Sequence, residues 1–189
     1  MATSGQMLEN PRTGDQTIFY QTAQETGGAL VRFEERRSAA FSGPPAHLHL
    51  HQQEHFEVLE GTARIQINGT NQFLRAREQV TVPAQTSHTW GNGGQTPVRI
   101  LIEFRPALRI EDFIESLAVL GSRGKNPTHL VKPNVLQMAL LALEYEAYLA
   151  GPPIVLQKGI FLALKPLALL LGYRASYTGA DAEMRKLPT

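Results

Sequence analysis

The first half of the chain is a series of short β-type runs, and their close, even spacing restricts the possible folds more than any other feature. Each run is rich in β-branched and aromatic residues and is bounded by turn-type residues. Many short strands with few residues between them predict a β-sandwich or barrel. The runs, all between residues 15 and 104, are TIFYQT, ALVRFEERR, HFEVLEG, ARIQING, QFLRA, QVTVP and VRILIEF.

One turn of this β region is marked by the pair Asn68-Gly69, which stands between ARIQI and NQFLRA. Both central residues of a type I′ turn need positive φ, and asparagine and glycine tolerate this conformation best. The pair therefore predicts a two-residue β-hairpin.

The pattern becomes helical near Pro106. We assign residues 1–14 to an N-terminal arm, 15–106 to a β-barrel and 107–189 to a C-terminal helical extension. Apolar residues recur at helical spacing from Ile110 to Leu120, and Gly121 follows as a candidate C-cap. A second helix is expected from Asn134 to about Leu149, ended by the Gly-Pro-Pro sequence that begins at Gly151.

A third helix is expected from Ile154 to Gly172, kinked or divided at Pro166. Lys158 and Lys165 interrupt its apolar sequence, and charges are costly inside a bilayer, so we predict a buried helix and no membrane span. Because nearly every face of this helix is apolar, it must be covered by the barrel, by the preceding helix or by a second subunit. We therefore expect a homodimer.

Composition excludes several classes of function. Eighteen basic residues balance seventeen acidic ones, so the chain lacks the basic surface that nucleic-acid binding requires. It contains no cysteine, and any metal must be held by imidazole and carboxylate. The first ten residues, MATSGQMLEN, lack a basic segment followed by an apolar run, so we expect no secretory signal and a cytoplasmic location.

Candidate metal ligands are concentrated in the segment GPPAHLHLHQQEHFEVLEG, which runs from Gly43 to Gly61. On a strand, alternate side chains share a face, so His47 and His49 project to the same side, roughly 7 Å apart along the chain. A turn then leads to Glu54, whose carboxylate can supply a third ligand. The later segment VPAQTSHTWGN offers His88 as a fourth.

These segments resemble the two sequence motifs of the cupin superfamily over residues 29–104. His47, His49, Glu54 and Gly61 match the first motif, and the second is matched by Pro83, His88 and Asn92.

Three positions depart from the family pattern. Gly43 lies closer to His47 than the leading glycine of the first motif usually does. In the second motif, Arg77 and Gln85 replace glycines. These differences affect turns and remove no ligand.

The resemblance implies a mainly β fold, a cupin-type double-stranded β-helix or jelly-roll barrel, here followed by the C-terminal α-helical extension. It also implies one divalent transition metal ion bound by His47, His49, Glu54 and His88. Iron, manganese, nickel, cobalt, copper and zinc all suit these ligands, and ligand type alone does not choose among them.

For cupins with this ligand set, the resemblance implies a dioxygenase-type oxidoreductase acting on a small organic substrate. A metal-dependent isomerase or lyase is an alternative within the enzymes. A second class is a non-catalytic cupin that binds or senses a small molecule.

Residues around these ligands have both a functional and an ordinary structural interpretation. Phe56 and Trp90 can line an apolar pocket over the metal or belong to the core. By parity His51 can face the same pocket, but the sequence favours a solvated or structural turn histidine. Glu103 is a candidate general base if its face of the last strand points inward, and Tyr20 can bind substrate through its hydroxyl or simply pack.

Overall fold

The computed structural model describes residues 2–11, 13–123 and 134–177, and the remainder of the predicted helical extension lies outside these ranges. The chain order is strands, two helices, a short strand and a third helix. The strands are β1 (Met7–Glu9), β2 (Gln16–Gln21), β3 (Val31–Arg37), β4 (His47–His49), β5 (Gln53–Glu60), β6 (Thr62–Ile67), β7 (Thr70–Arg75), β8 (Gln79–Val82), β9 (His88–Asn92), β10 (Val98–Arg105) and β11 (Ala147–Leu149). The helices are α1 (Ile110–Arg123), α2 (Val135–Tyr145) and α3 (Ile154–Leu170).

The strands form two antiparallel sheets. One sheet has the order β1-β2-β3-β10-β5-β8 and the other the order β11-β4-β9-β6-β7. Buried apolar side chains from both sheets make one continuous core, which includes Phe33, Phe56, Ile65 and Ile100. The predicted mainly β fold with C-terminal helices is confirmed, as two facing sheets rather than one closed sheet.

The alternation along β10 decides which residues face this core. Val98, Ile100, Ile102 and Phe104 are all buried in it. Since neighbouring side chains on a strand point to opposite faces, Glu103 lies on the outer face of the six-stranded sheet.

The predicted hairpin is confirmed. Asn68 and Gly69 connect β6 to β7, and their φ angles of 48° and 82° are both positive.

Two helix boundaries differ from the prediction. Gly121 lies inside α1 and is not its C-cap. The second helix ends at Tyr145, because Glu146 adopts the left-handed conformation with φ 52° and the next three residues pair with β4 as β11. Its beginning agrees with the prediction, since the Asn134 side chain accepts a hydrogen bond from the Gln137 amide as an N-cap.

The third helix continues through Pro166 as a single element. The carbonyl that loses its helical partner there belongs to Leu162, and both residues are exposed, so water can hydrate the freed oxygen. Within the described residues, no helix combines the length and hydropathy needed to cross a bilayer.

The prediction that α3 is buried is wrong for the single chain. Only Gln157, Phe161 and Ala168 of this helix are buried, and α2 covers that side. The rest of the helix presents an apolar surface to solvent, with Val155 84% and Leu170 83% exposed. We call this the α3 surface; it comprises Val155, Leu156, Ile160, Leu162, Leu167, Leu169 and Leu170.

Candidate metal centre

The structure brings the four predicted ligands together from three strands. His47 and His49 lie on β4, Glu54 on β5, and His88 begins β9, where it pairs directly with His47. One donor atom from each residue lies within 4.8 Å of every other. His49, Glu54 and His88 are buried and His47 is partly exposed, so the cluster is open to solvent on the His47 side.

Backbone carbonyls hold the Nδ1 protons of two of the histidines. Nδ1 of His47 lies 3.0 Å from the Pro45 oxygen, and Nδ1 of His88 lies 2.9 Å from the Thr86 oxygen. A carbonyl oxygen only accepts hydrogen bonds, so each Nδ1 carries the proton and donates it. Nε2 of each ring is therefore directed into the cluster, as in metal-binding histidines generally.

Glu54 is the anionic member of the cluster. Its Oε2 lies 2.7 Å from His88 Nε2 and 3.5 Å from His49 Nε2. Burial alone would raise the pKa of Glu54, but the imidazoles of His49 and His88 outweigh it and hold this pKa well below its usual range. Burial likewise opposes protonation of His88, yet the hydrogen bond to Glu54 raises the His88 pKa.

His47 is held neutral. Desolvation of its ring among the cluster residues, together with the neighbouring His49 and His88, lowers the pKa of His47 to about 3. A metal ligand must offer a free lone pair, and a neutral imidazole meets this condition without first losing a proton.

His49 lacks the hydrogen bonds that its burial demands. Neither ring nitrogen has a hydrogen-bond partner among the described residues, and both atoms are buried. Burying a polar group without a partner costs about 1–3 kcal/mol, so such groups need an explanation. A metal ion bound through one ring nitrogen would supply the missing partner. Three imidazoles and one carboxylate are also a donor set that divalent transition metals accept, so the residues present fit the implied ion.

Aromatic rings form an apolar wall beside the cluster. The rings of Phe104 and His49 meet edge to face at 5.1 Å, and Phe56 lies 6.3 Å from His88. Charges beside such a wall are less screened than in water.

The pocket residues expected from the sequence are placed differently from one another. Phe56 borders the cluster, whereas Trp90 lies one layer deeper, packed on Phe56 and Phe41. Trp90 lines a separate cavity of about 180 Å³ that none of the four candidate ligands lines. The His51 side chain does not face the pocket, as strand alternation would allow. It is 61% exposed, and its Nε2 lies 3.4 Å from Glu146.

Neither candidate catalytic residue points toward the cluster. Glu103 lies on the outer sheet face, where Arg32 and Arg105 each donate a hydrogen bond of 2.5 Å to it. On the same sheet, the Tyr20 hydroxyl donates a hydrogen bond of 2.6 Å to Glu34. Each carboxylate oxygen of Glu103 thus accepts from a guanidinium group, on the face of the sheet that points away from the cluster.

Two neighbours of the ligands could not be predicted from the sequence. Phe104 belongs to the apolar set of the last strand, and only the orientation of that strand reveals its contact with His49. The second is β11, which pairs with β4 along its whole length, His49 opposite Ala147 and His47 opposite Leu149. From the sequence alone, the apolar residues of β11 are predicted to form the end of the second helix.

Comparison with known proteins gives one family match. Residues 39–103 match the family model described as cupin domain. The oxidoreductase OpS7 of Beauveria bassiana is 42% identical over 53 residues, which are 28% of this chain and 17% of that protein. The mannose-1-phosphate guanylyltransferase ManC of Salmonella typhimurium is 36% identical over 70 residues, 37% of this chain and 14% of that enzyme. The chain thus spans less than a fifth of the length of these relatives.

Two solved structures are similar to part of this chain. A predicted oxalate decarboxylase from Thermotoga maritima is 16% identical with a TM-score of 0.48, covering 56% of this chain and 99% of its own. An RmlC-like cupin from Shewanella frigidimarina is 18% identical with a TM-score of 0.47, covering 59% of this chain and 92% of its own.

Proposed function

This chain carries a cupin domain and so belongs to the cupin superfamily, and from that premise we propose that it is a metal-dependent enzyme acting on a small organic molecule. The observation that carries the proposal is the buried, unbonded imidazole of His49 beside three further donors. Such a group is costly in a metal-free protein and is accounted for by an ion.

A divalent transition metal in this cluster would supply a Lewis acid with coordination positions left open for substrate or dioxygen. His47 would offer Nε2 directly because a carbonyl holds its Nδ1 proton, and His88 would offer Nε2 after losing the proton that it shares with Glu54. Phe104 and Phe56 exclude water from one side. Since His47 is the partly exposed member, we place the substrate's approach on that side.

Within the enzymes, we propose a dioxygenase-type oxidoreductase. A dioxygenase places both oxygen atoms in its substrate, whose own electrons reduce the oxygen, so no separate reductant is needed. Isomerases and lyases need a positioned acid or base, and the two candidates, Glu103 and Tyr20, are engaged elsewhere. The oxidoreductase named among the relatives belongs to the same broad class, although the match covers a small part of it.

We also propose that two copies of the chain associate through the α3 surface. Burying a leucine side chain stabilises a protein by roughly 1.5–3 kcal/mol, and this surface contains several exposed ones. A second copy presents the same apolar surface and can cover it by two-fold symmetry.

The proposal is tested by metal analysis of the purified protein, followed by oxygen uptake with Fe(II), Mn(II) or Ni(II) and a panel of chelating enols, diketones, catechols and hydroxy acids. We expect about one metal ion per chain and oxygen consumption with one substrate class. Tight binding of a panel member without turnover would support the binding or sensing alternative. A protein that binds no divalent metal would contradict both.

A further inference from the structure

The strand that carries two of the candidate ligands depends on the C-terminal extension for its position. β4 is three residues long and pairs with β9 only at His47 and His88. On its other side all three residues pair with β11. The ladder is extended by a hydrogen bond of 2.8 Å from the Ala150 amide to the Ala46 carbonyl. Most of the backbone pairing of β4 is therefore made with the extension and not with the barrel.

One buried side chain fixes β11 in turn. The Oε1 atom of Gln157, in the first turn of α3, accepts a hydrogen bond of 3.1 Å from the Leu149 amide. Its Nε2 donates to the carbonyls of Leu149 and Pro152, at distances of 2.9 Å and 2.8 Å. Gln157 thus bonds both backbone groups of Leu149, as a residue of a neighbouring strand would. Leu149 is the residue opposite His47.

The extension can act as a rigid support because it has a core of its own. Tyr148, at the centre of β11, is 1% exposed and packs in a cluster with Ala139, Ala142 and Phe161. Leu50, the residue after β4, packs against the same cluster. Helices α2 and α3 and strand β11 therefore form one packed unit, which is hydrogen-bonded to β4.

We infer that Gln157 is a positioning residue for the candidate metal centre, acting through β11 on His47 and His49. The inference rests on the metal binding proposed above. Within the described part of the chain the Gln157 side chain bonds only Leu149 and Pro152, so its effect passes through the backbone pairing of β11 with β4. Metal ligands must be held to within about 0.5 Å of their working positions. Loss of supporting hydrogen bonds around metal sites typically lowers metal affinity about 10- to 100-fold.

The chain offers a matched control in Gln137 of α2. Gln137 is 3% exposed and Gln157 5%. The side-chain amide of Gln137 also makes two hydrogen bonds, donating to the Arg174 carbonyl and accepting from the Tyr177 hydroxyl. These bonds hold the segment after α3 and not β11. Its removal should cost comparable stability while leaving β4 in place.

The test compares wild type, Q157A, Q157E and Q137A as full-length proteins. Co²⁺ affinity is measured by titration, and the thermal midpoint is measured for each metal-free protein. Q157E keeps the acceptor for the Leu149 amide and loses the two donors, which guards against a failure of Q157A to fold. We expect Co²⁺ affinity to fall about 10- to 100-fold in Q157A and Q157E and less than about threefold in Q137A, at similar thermal midpoints. Hydrogen exchange of residues 46–50 should also be faster in the Q157 variants than in Q137A.

Wild-type Co²⁺ affinity in Q157A or Q157E would overturn the inference and leave the metal centre intact. Equal losses in Q137A and Q157A would also overturn it, because the effect would then be one of general stability. A wild-type protein that binds no Co²⁺ would instead refute the metal centre itself and this inference with it.

Discussion

Nε2 of His88 lies 2.7 Å from Oε2 of Glu54, so two candidate metal ligands form a buried ion pair in the metal-free protein. A second imidazole, that of His49, lies farther from the same oxygen, at 3.5 Å, and makes no hydrogen bond to it. The ligands therefore differ in what each contributes to the stability of the metal-free chain, although all four would contribute to metal binding.

We predict that His88→Ala and His49→Ala both abolish metal binding but differ in their effect on the stability of the metal-free protein. Removing His88 leaves a buried carboxylate without its closest cation, which typically costs about 3–5 kcal/mol. Removing His49 eliminates a polar group without a hydrogen bond, and it costs the packing on Phe104 and the longer contact with Glu54. Urea unfolding of the metal-free proteins should show H88A as clearly the less stable, while metal analysis shows both to be empty. Equal stabilities would contradict the ion pair, and wild-type metal content in H49A would contradict its role as a ligand.

Replacing His47 should test metal binding with little effect on the fold. His47 is neutral and partly exposed, so His47→Ala removes a ligand without breaking an ion pair. We expect loss of metal retention and a circular dichroism spectrum like that of the wild type. His51→Ala is the control, because that side chain faces solvent and should leave the metal content unchanged.

Glu103→Gln is predicted to leave metal binding and activity unchanged, since Glu103 lies on the outer face of the sheet. It should lower stability modestly, because Arg32 and Arg105 lose their shared partner; both arginines are well exposed, so water limits the cost. A large loss of turnover at normal metal content would restore Glu103 as a catalytic candidate.

Glu34 should contribute to acid sensitivity. Burial alone would raise its pKa, but hydrogen bonds from Arg99, Tyr20 and Arg36 lower the Glu34 pKa to about 2 from the ordinary 4.5. A depressed pKa gives stability that is present above pH 4.5 and is lost as pH falls toward 2. Glu34→Gln should therefore lose less stability than wild type between about pH 5 and pH 3, as followed by urea unfolding. Identical slopes for the two proteins would contradict this assignment.

The α3 surface should mediate association. We expect a dimer by light scattering and a monomer when Leu162 and Leu169, both exposed, are replaced by lysine. Truncation after Gly151 should give a monomeric or aggregating protein. A monomeric wild type, or a soluble truncation with an unchanged mass distribution, would contradict the proposed dimer and leave contact with a membrane surface as the alternative.

The candidate ligands could be predicted from the sequence because their relationship is local. His47 and His49 share a face through strand periodicity alone, and a short turn returns the chain to Glu54. Strand periodicity does not extend to His51, since the strand ends at His49 and the following turn directs the His51 side chain outward.

The features that the sequence did not reveal depend on distant parts of the chain. The residues of β11 are apolar and follow a helix, and they become a strand because β4 offers a free edge, which no local pattern indicates. Similarly, the alternation along β10 defines two faces, and only pairing with β3 and β5 decides that Phe104 faces inward and Glu103 outward.

The brevity of β11 also protects the protein against unwanted self-assembly. A free sheet edge exposes unpaired amides and carbonyls on which strands of other molecules can add, and such growth leads to aggregation. Here the outermost strand is three residues long, the backbone groups of Leu149 are taken by Gln157, and Pro152 and Pro153 lack amide protons. Proteolytic removal of the chain from Ala147 onward would uncover β4 and leave the backbone groups on that side of the histidine-bearing strand unpaired.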